Sequence, residues 1–178
     1  LAAASRLNYV ILRYFNVAGA NPEGLLGQAT PEATHLIKVA CECVTGQRDG
    51  MSILGTDYDT RDGTCIRDYI HVEDLAKAHV MALDYMANGG HSKVMNCGYG
   101  RGFTVREVID VVKAQSGVDF PVTETDRRAG DPAGLMADNT LIRQTLGWQP
   151  DYDNLDTIVG TALAWEAIWQ KKKADDTE

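Results

Sequence analysis

The stretch Asn8-Tyr-Val-Ile-Leu-Arg-Tyr-Phe15, running into Asn16-Val-Ala-Gly-Ala-Asn-Pro-Glu-Gly24, decides the fold. Its first half is rich in β-branched and aromatic residues and is nearly continuously apolar from Tyr9 to Leu12. That pattern suits a strand covered on both faces, as in a parallel sheet. Its second half reads as a loop by its Gly, Asn and Pro content. Ligands of open parallel sheets bind outside the carboxyl ends of the strands, so Asn16 stands where a binding residue would stand; a plain turn-capping Asn is equally compatible with Arg13-Tyr14-Phe15-Asn16 alone.

Outward from there, strands and helices alternate without internal repeats, which gives the class α/β. Thr30 offers an N-cap and Pro31 a first helical position for a helix through Leu36, Val39, Ala40 and Cys43, stopped at Gly46. Residues 51–54 form a short strand, 55–64 a polar loop and 67–72 an extended segment. A helix carrying Leu75, Ala76, Val80, Leu83 and Met86 at helical spacing closes at Asn88-Gly89-Gly90. Residues 93–97 read as a strand. Thr104 and Glu107 make a capping box for a helix with Val105, Val108, Ile109 and Val112 on one face, ended by Gly117. A strand over 120–125, a charged loop over 126–134 and a short helix near 141–146 follow. The last amphipathic helix, 155–170, buries Leu155, Ile158, Val159, Ala162 and Ile168, and 171–178 is a solvated tail.

Composition limits the function classes. The chain has 178 residues, 44% hydrophobic and 24% charged, with a formal charge of −8 from 17 Lys and Arg against 25 Asp and Glu. That balance argues against broad affinity for nucleic acid or anionic membranes and leaves room for a local cationic pocket. No run approaches the roughly 18 apolar residues of a membrane span. Leu1-Ala-Ala-Ala4 is too short for a signal-peptide core, and a first residue other than Met reads as a start inside a longer chain. Cys41 and Cys43 do not face each other on a helix, while Cys65 and Cys97 are isolated. Reduced, packed thiols in a cytoplasmic protein follow, with no metal site.

The chemistry rests on three sets of residues. The first is Arg13-Tyr14-Phe15-Asn16, at a strand end. The second is Arg67-Asp68-Tyr69-Ile70-His71-Val72, where Arg67 offers paired N–H donors to phosphate oxygens or forms an ion pair with Asp68 or Asp74. His71 reads as a packed, hydrogen-bonded residue. The third is Arg127-Arg128-Ala-Gly-Asp131-Pro132, a positive patch in an acidic chain, open to anion binding or to plain solvation. Asp131 could orient Arg128 or accept from a ribose hydroxyl. A Gly-rich dinucleotide loop is missing, since Gly98-Tyr-Gly-Arg-Gly102 reads as a turn, and there is no Tyr-x-x-x-Lys.

These sets, with Pro31 to Leu36, Asp57-Tyr-Asp-Thr-Arg-Asp-Gly63 and the terminal Leu146-Gly-Trp148 with Pro150, resemble the nucleotide-sugar epimerases of the extended short-chain dehydrogenase/reductase family, closest to its UDP-hexose 4-epimerases. The resemblance covers nearly the whole chain. It implies the C-terminal part of a Rossmann-like NAD(P)-binding fold with the smaller α/β substrate-binding domain. Residues 1–20 would end the Rossmann-like domain, with a helix remnant before the strand; 21–170 would mainly bind the UDP-sugar, and 51–97 would partly return to the Rossmann sheet. The implied activity is NAD-dependent interconversion of UDP-glucose and UDP-galactose in galactose metabolism, in a parent homodimer.

The resemblance also implies roles. Asn16 would bond the substrate near its pyrophosphate and sugar, with His35 and the Leu36 backbone N–H close to the diphosphate. Leu54 would place its backbone beside the uracil. Arg67 and Arg128 would pair with the diphosphate and Asp131 with the ribose. Leu135 would stand beside the sugar, where a side chain of its size leaves UDP-N-acetylhexosamines open as substrates. Tyr14 and Phe15 would line the meeting point of nicotinamide and substrate. No catalytic residue falls within the chain, so it is expected neither to hold NAD tightly nor to epimerise on its own. It is also expected to expose a sheet edge and helix faces that a Rossmann half would cover. The alternatives are a non-catalytic nucleotide-sugar-binding fragment and part of a related UDP-sugar epimerase, decarboxylase or dehydratase.

Overall fold

A computed structural model of the chain describes residues 7–175. The expected helix remnant before the first strand, and the last three residues of the expected tail, lie outside the described residues. The elements in chain order are β1 (Val10–Arg13), β2 (Asn16–Ala18), α1 (Leu36–Val44), β3 (Met51–Leu54), β4 (Ile66–Arg67), β5 (Tyr69–His71), α2 (Val72–Ala87), β6 (Lys93–Asn96), β7 (Phe103–Thr104), α3 (Val105–Ser116), β8 (Val122–Thr125), β9 (Gly134–Leu135), α4 (Thr140–Leu146) and α5 (Leu155–Asp175).

Pairing is mostly parallel and long-range. β1 runs parallel to β6, β2 to β5 and β3 to β8, while β4 sits between antiparallel β7 and parallel β9. Helices α1, α3 and α5 pack on one another, and α2 and α4 pack together beside β1 and β6. One apolar core joins them, with Ile70, Met95, Val108, Val112, Ile142, Trp148, Ile158 and Val159 essentially without exposed surface. No helix among the described residues is long and apolar enough to cross a membrane.

Several expectations shift. Residues 16–18 form a strand, not loop, because β5 offers a parallel partner: Asn16 lies opposite Tyr69 and Ala18 opposite His71. The first helix begins at Leu36 with His35 as N-cap, several residues after Thr30, and Glu32 takes a left-handed φ of 50° that ends any helix begun at Pro31. On α2 the buried face is Asp74, Leu75, Ala78 and Ala82, so Val80 and Leu83 turn to solvent. α5 continues to Asp175, beyond the stop at Gln170 that the amphipathic pattern suggests; it buries Trp165 and Glu166, with Ala162 and Ile168 only half-buried. The capping box is present as read: Thr104 Oγ1 accepts from Glu107 N, the Glu107 carboxylate accepts from Thr104 N, and left-handed Gly117 ends the helix.

Candidate functional site

The antiparallel and parallel neighbours of β4 build one side of the site. Arg67 stands opposite Leu135 in β9, and its Nη1 donates to the carbonyls of Ile66 (2.8 Å) and Pro132 (2.9 Å). Its Nη2 lies 3.5 Å from the Asp131 carboxylate. Arg128 reaches the same carboxylate from the other side, with Nε at 3.0 Å and Nη2 at 2.8 Å from Oδ2. One carboxylate is thus shared by two guanidiniums, a pairing that raises the already high pKa of Arg128. Two guanidiniums converging on one point, Arg128 through a two-bond fork and Arg67 through Nη2, can match the paired oxygens of a diphosphate.

Arg67 pairs with neither Asp68 nor Asp74, the two partners the sequence leaves open. Both carboxylates are buried and already satisfied. Asp68 accepts the N–H groups of Tyr99 (3.0 Å), Gly100 (3.0 Å) and Ala137 (3.1 Å). Asp74 accepts from the Tyr99 hydroxyl (2.5 Å) and the N–H groups of Asp151 (2.7 Å) and Tyr152 (3.0 Å). The Asp68 contacts also settle the Gly98–Gly102 turn. Two of its amides are spent on the protein's own carboxylate, and a Cβ at Gly98 would lie 2.7 Å from Asp68 Oδ2. Those amides do not face a dinucleotide phosphate.

Asn16, opposite Tyr69, donates through Nδ2 to the Asp68 carbonyl at 3.2 Å, one residue from Arg67. With His35, Leu36, Tyr69, Lys38 and Glu166 it lines a partly open cavity of about 40 Å³. His35 accepts from Gln28 Nε2 at 3.0 Å through Nδ1. A wider cleft of about 430 Å³ adjoins this cavity, sharing Val17, Gly19 and His35 with it and adding Val72 and Glu73. Tyr14, half exposed, meets His79 edge-on at 6.2 Å, and Phe15 is half-buried between β1 and β2.

Leu54 closes β3 opposite Thr125, so it stands beside the start of the loop that carries Arg127 and Arg128. The two arginines diverge. Arg127 turns to Asp57 and the Tyr58 ring, and only Arg128 reaches Asp131. The structure therefore brings Arg67, Arg128, Asp131 and Leu135 into one group and Asn16, His35 and Leu36 into another, joined through the continuous 66–71 segment.

Sequence reasoning missed the buried charges under that second group. Lys38 Nζ lies 2.5 Å from Glu166 Oε2 and 3.2 Å from Glu42 Oε1, with all three side chains almost wholly buried. The only signal was the four-residue spacing of Lys38 and Glu42. Burial, and secondarily Glu166, push the adjacent Cys41 thiol up to about 12, and all four cysteines are buried free thiols.

Comparison with known proteins adds a family. Residues 1–98 match the profile of the NAD dependent epimerase/dehydratase family. A UDP-glucose 4-epimerase of Azospirillum brasilense is 61% identical over 164 residues, which is 92% of this chain and 47% of that protein. One from Rhizobium meliloti is 48% identical, over 90% of this chain and 49% of its own length. Among solved structures, UDP-glucose 4-epimerase from Brucella ovis in complex with NAD superposes with a TM-score of 0.88 at 45% identity, covering 92% of this chain and 50% of that one. The UDP-Glc/GlcNAc 4-epimerase of Campylobacter jejuni gives 0.78 at 53% identity, covering 94% and 51%. The α/β fold thus matches that of these enzymes, and the chain spans about half the length of the curated relatives it matches.

Proposed function

The chain belongs to the NAD dependent epimerase/dehydratase family, and from that premise we propose that it grips the UDP end of a UDP-hexose for C4 epimerisation between UDP-glucose and UDP-galactose. The observation that carries this reading is the meeting of Arg67 and Arg128 on the one carboxylate of Asp131. When UDP enters, its diphosphate takes the two guanidiniums and Asp131 turns to a ribose hydroxyl. Leu54 borders the uracil, Asn16, His35 and the Leu36 backbone the phosphate and sugar, and Leu135 the hexose. Leu135 is moderate in bulk and partly exposed, which supports acceptance of N-acetylated hexoses beside plain ones.

NAD, when bound, supplies the hydride acceptor for C4. The Gly98–Gly102 turn does not suit it, because Asp68 takes the turn's amides; Tyr14 and Phe15 are the residues of this chain proposed to border the nicotinamide. Among these 178 residues no Tyr-x-x-x-Lys is available to take the hydroxyl proton. The chain's own part is therefore to bind and orient. Its buried free thiols support a reducing, cytoplasmic setting.

Titration calorimetry with UDP tests this. The chain is expected to bind UDP, and Arg67→Ala or Arg128→Ala to weaken it about tenfold or more, as expected for charge-assisted bonds. Incubation with UDP-galactose is expected to yield no UDP-glucose. Absence of UDP binding would overturn the proposal. A panel of UDP-glucose, UDP-N-acetylglucosamine and UDP-glucuronate separates the 4-epimerase reading from other UDP-sugar enzymes.

A further inference from the structure

Arg128 and Asp131 sit on a loop, residues 126–133, that contains Gly130 in a left-handed conformation and Pro132. On its own such a segment holds no fixed geometry, yet two of the groups proposed to grip the ligand depend on it. Its C-terminal end is tied down: Ile66 N donates to Ala133 O at 2.8 Å, and Arg67 Nη1 to Pro132 O. Its N-terminal end leaves β8 at Thr125, whose hydroxyl donates to Ile53 O at 3.2 Å and whose carbonyl accepts from Gly55 N at 2.9 Å; beyond that strand end, the anchor next to Arg128 is the Arg127 side chain.

Arg127 lies across a neighbouring loop that is itself rigidly tied. In that platform Tyr58 N donates to Gly63 O at 2.9 Å, and Thr60 Oγ1 to Thr64 O at 2.7 Å. Thr64 binds Asp62 Oδ1 through both its N–H and its hydroxyl, and Asp62 also accepts from the capping residue Thr104. Onto this surface Arg127 places its guanidinium 4.1 Å from the centre of the Tyr58 ring, donates through Nε to Asp57 Oδ1 at 2.5 Å, and through Nη2 to the Asp57 carbonyl. The backbone is shaped around that contact. A Cβ on Gly55 would meet Arg127 Cγ and Tyr58 Cε2, each at 2.6 Å, in a position whose φ of 92° already favours glycine.

An exposed ion pair alone is weak, and the Arg127 and Asp57 side chains are 44% and 75% exposed. Here the planar cation also stacks on a buried ring and reaches two acceptors on one residue, which fixes direction as well as distance. We infer that Arg127, latched on Asp57 and Tyr58, is a positioning residue that holds Arg128 and Asp131 in register for the diphosphate and ribose. This rests on the UDP-binding reading of the site and deepens it: the latch touches no ligand, yet sets the affinity.

Calorimetry with UDP on the chain and its variants tests the inference. Arg127→Met is expected to raise the UDP Kd about tenfold, because a misaligned fork loses charge-assisted bonds, with the stoichiometry unchanged. Asp57→Asn is expected to raise Kd in the same direction, and the double substitution to add little to Arg127→Met alone, since both remove one contact. Arg127→Lys, which keeps the charge without the planar fork, is expected to resemble Arg127→Met. A falling stoichiometry at unchanged Kd would mean that Arg127 serves folding only, and would overturn the inference. Restored affinity in Arg127→Lys, or wild-type affinity in Arg127→Met, would overturn it equally. If the wild-type chain shows no UDP binding, the functional reading falls and takes this inference with it; the other failures leave that reading standing.

Discussion

His71 has no exposed surface, and both ring nitrogens are committed. Nδ1 accepts from Glu73 N at 3.2 Å and caps α2, so the neutral ring carries its proton on Nε2, which faces Thr161 Oγ1 at 3.1 Å. The ring stacks on Tyr152 at 4.4 Å. Burial holds its pKa below the ordinary 6.5, against the opposing pull of Asp74 and Glu73. The unfolded chain therefore takes up a proton before the folded one as pH falls. Stability is complete above the unfolded-state value and is lost as pH drops from about 6.5 through the folded value. The thermal midpoint is expected to fall in that window, and His71→Asn to lack the step while starting lower; superimposable slopes for the two proteins would refute this. At this scale the sequence was a fair guide. His71 read as packed because no nucleophile or carboxylate stood beside it as a partner. Arg127 and Arg128 stood out as cations in a Gly/Pro loop of an acidic chain. For Arg128 the partner was legible, since Asp131 three residues on was read as able to orient it; for Arg67 it was not, because Asp68 and Asp74 are nearer in sequence, and only folded backbone N–H groups and the Tyr99 hydroxyl remove them from contention.

Between elements, the Lys38–Glu166 pair joins α1 to α5, with Arg48 completing the charge at Glu42 and Gln47 and Gln170 donating to Glu166. Removing one partner strands a buried charge. Lys38→Met is expected to destabilise the protein by about 3–5 kcal/mol, whereas Lys38→Met with Glu166→Leu is expected to recover most of the loss. Urea unfolding of the two variants measures this, and a double variant less stable than the single one would contradict it. Beyond the four-residue spacing of Lys38 and Glu42 the trio left no mark in the sequence, because Lys and Glu on a helix ordinarily mark its solvated face. Elements with local signals were legible, such as α3 with its Thr104–Glu107 box and Gly117 stop. Those made by distant partners were not. β2 hides in Asn and Gly and exists because β5 lies alongside; β9 is two residues long and exists because β4 does.

Over the whole molecule, the α/β class followed from the alternation of periods, but the division into small paired sheets did not, since each pairing joins segments far apart in sequence. The structure also leaves apolar faces open. Val72, Ala76, Val80 and Leu83 make an exposed stripe along α2, and Ile11 and Val94 sit side by side on the outer face of the β1–β6 pair. Contiguous apolar surface of this kind promotes association. Light scattering of the chain is expected to show mass rising with concentration, and Val80→Lys with Leu83→Glu to reduce the rise; a monodisperse monomer at high concentration would contradict it.

The carboxylate between Arg67 and Arg128 has a consequence for what can occupy the grip. The two cations have a counter-charge of their own in Asp131, so on the UDP-binding reading proposed above an incoming anion would replace an anion. Bare pyrophosphate would take the arginines and leave Asp131 facing negative oxygens with nothing to accept from. A nucleotide brings hydroxyls on the same scaffold as its phosphates and gives the displaced carboxylate a new donor. On the UDP-binding reading proposed above, the exchange is balanced for that kind of visitor, and discrimination would come from what is given up as much as from what is received.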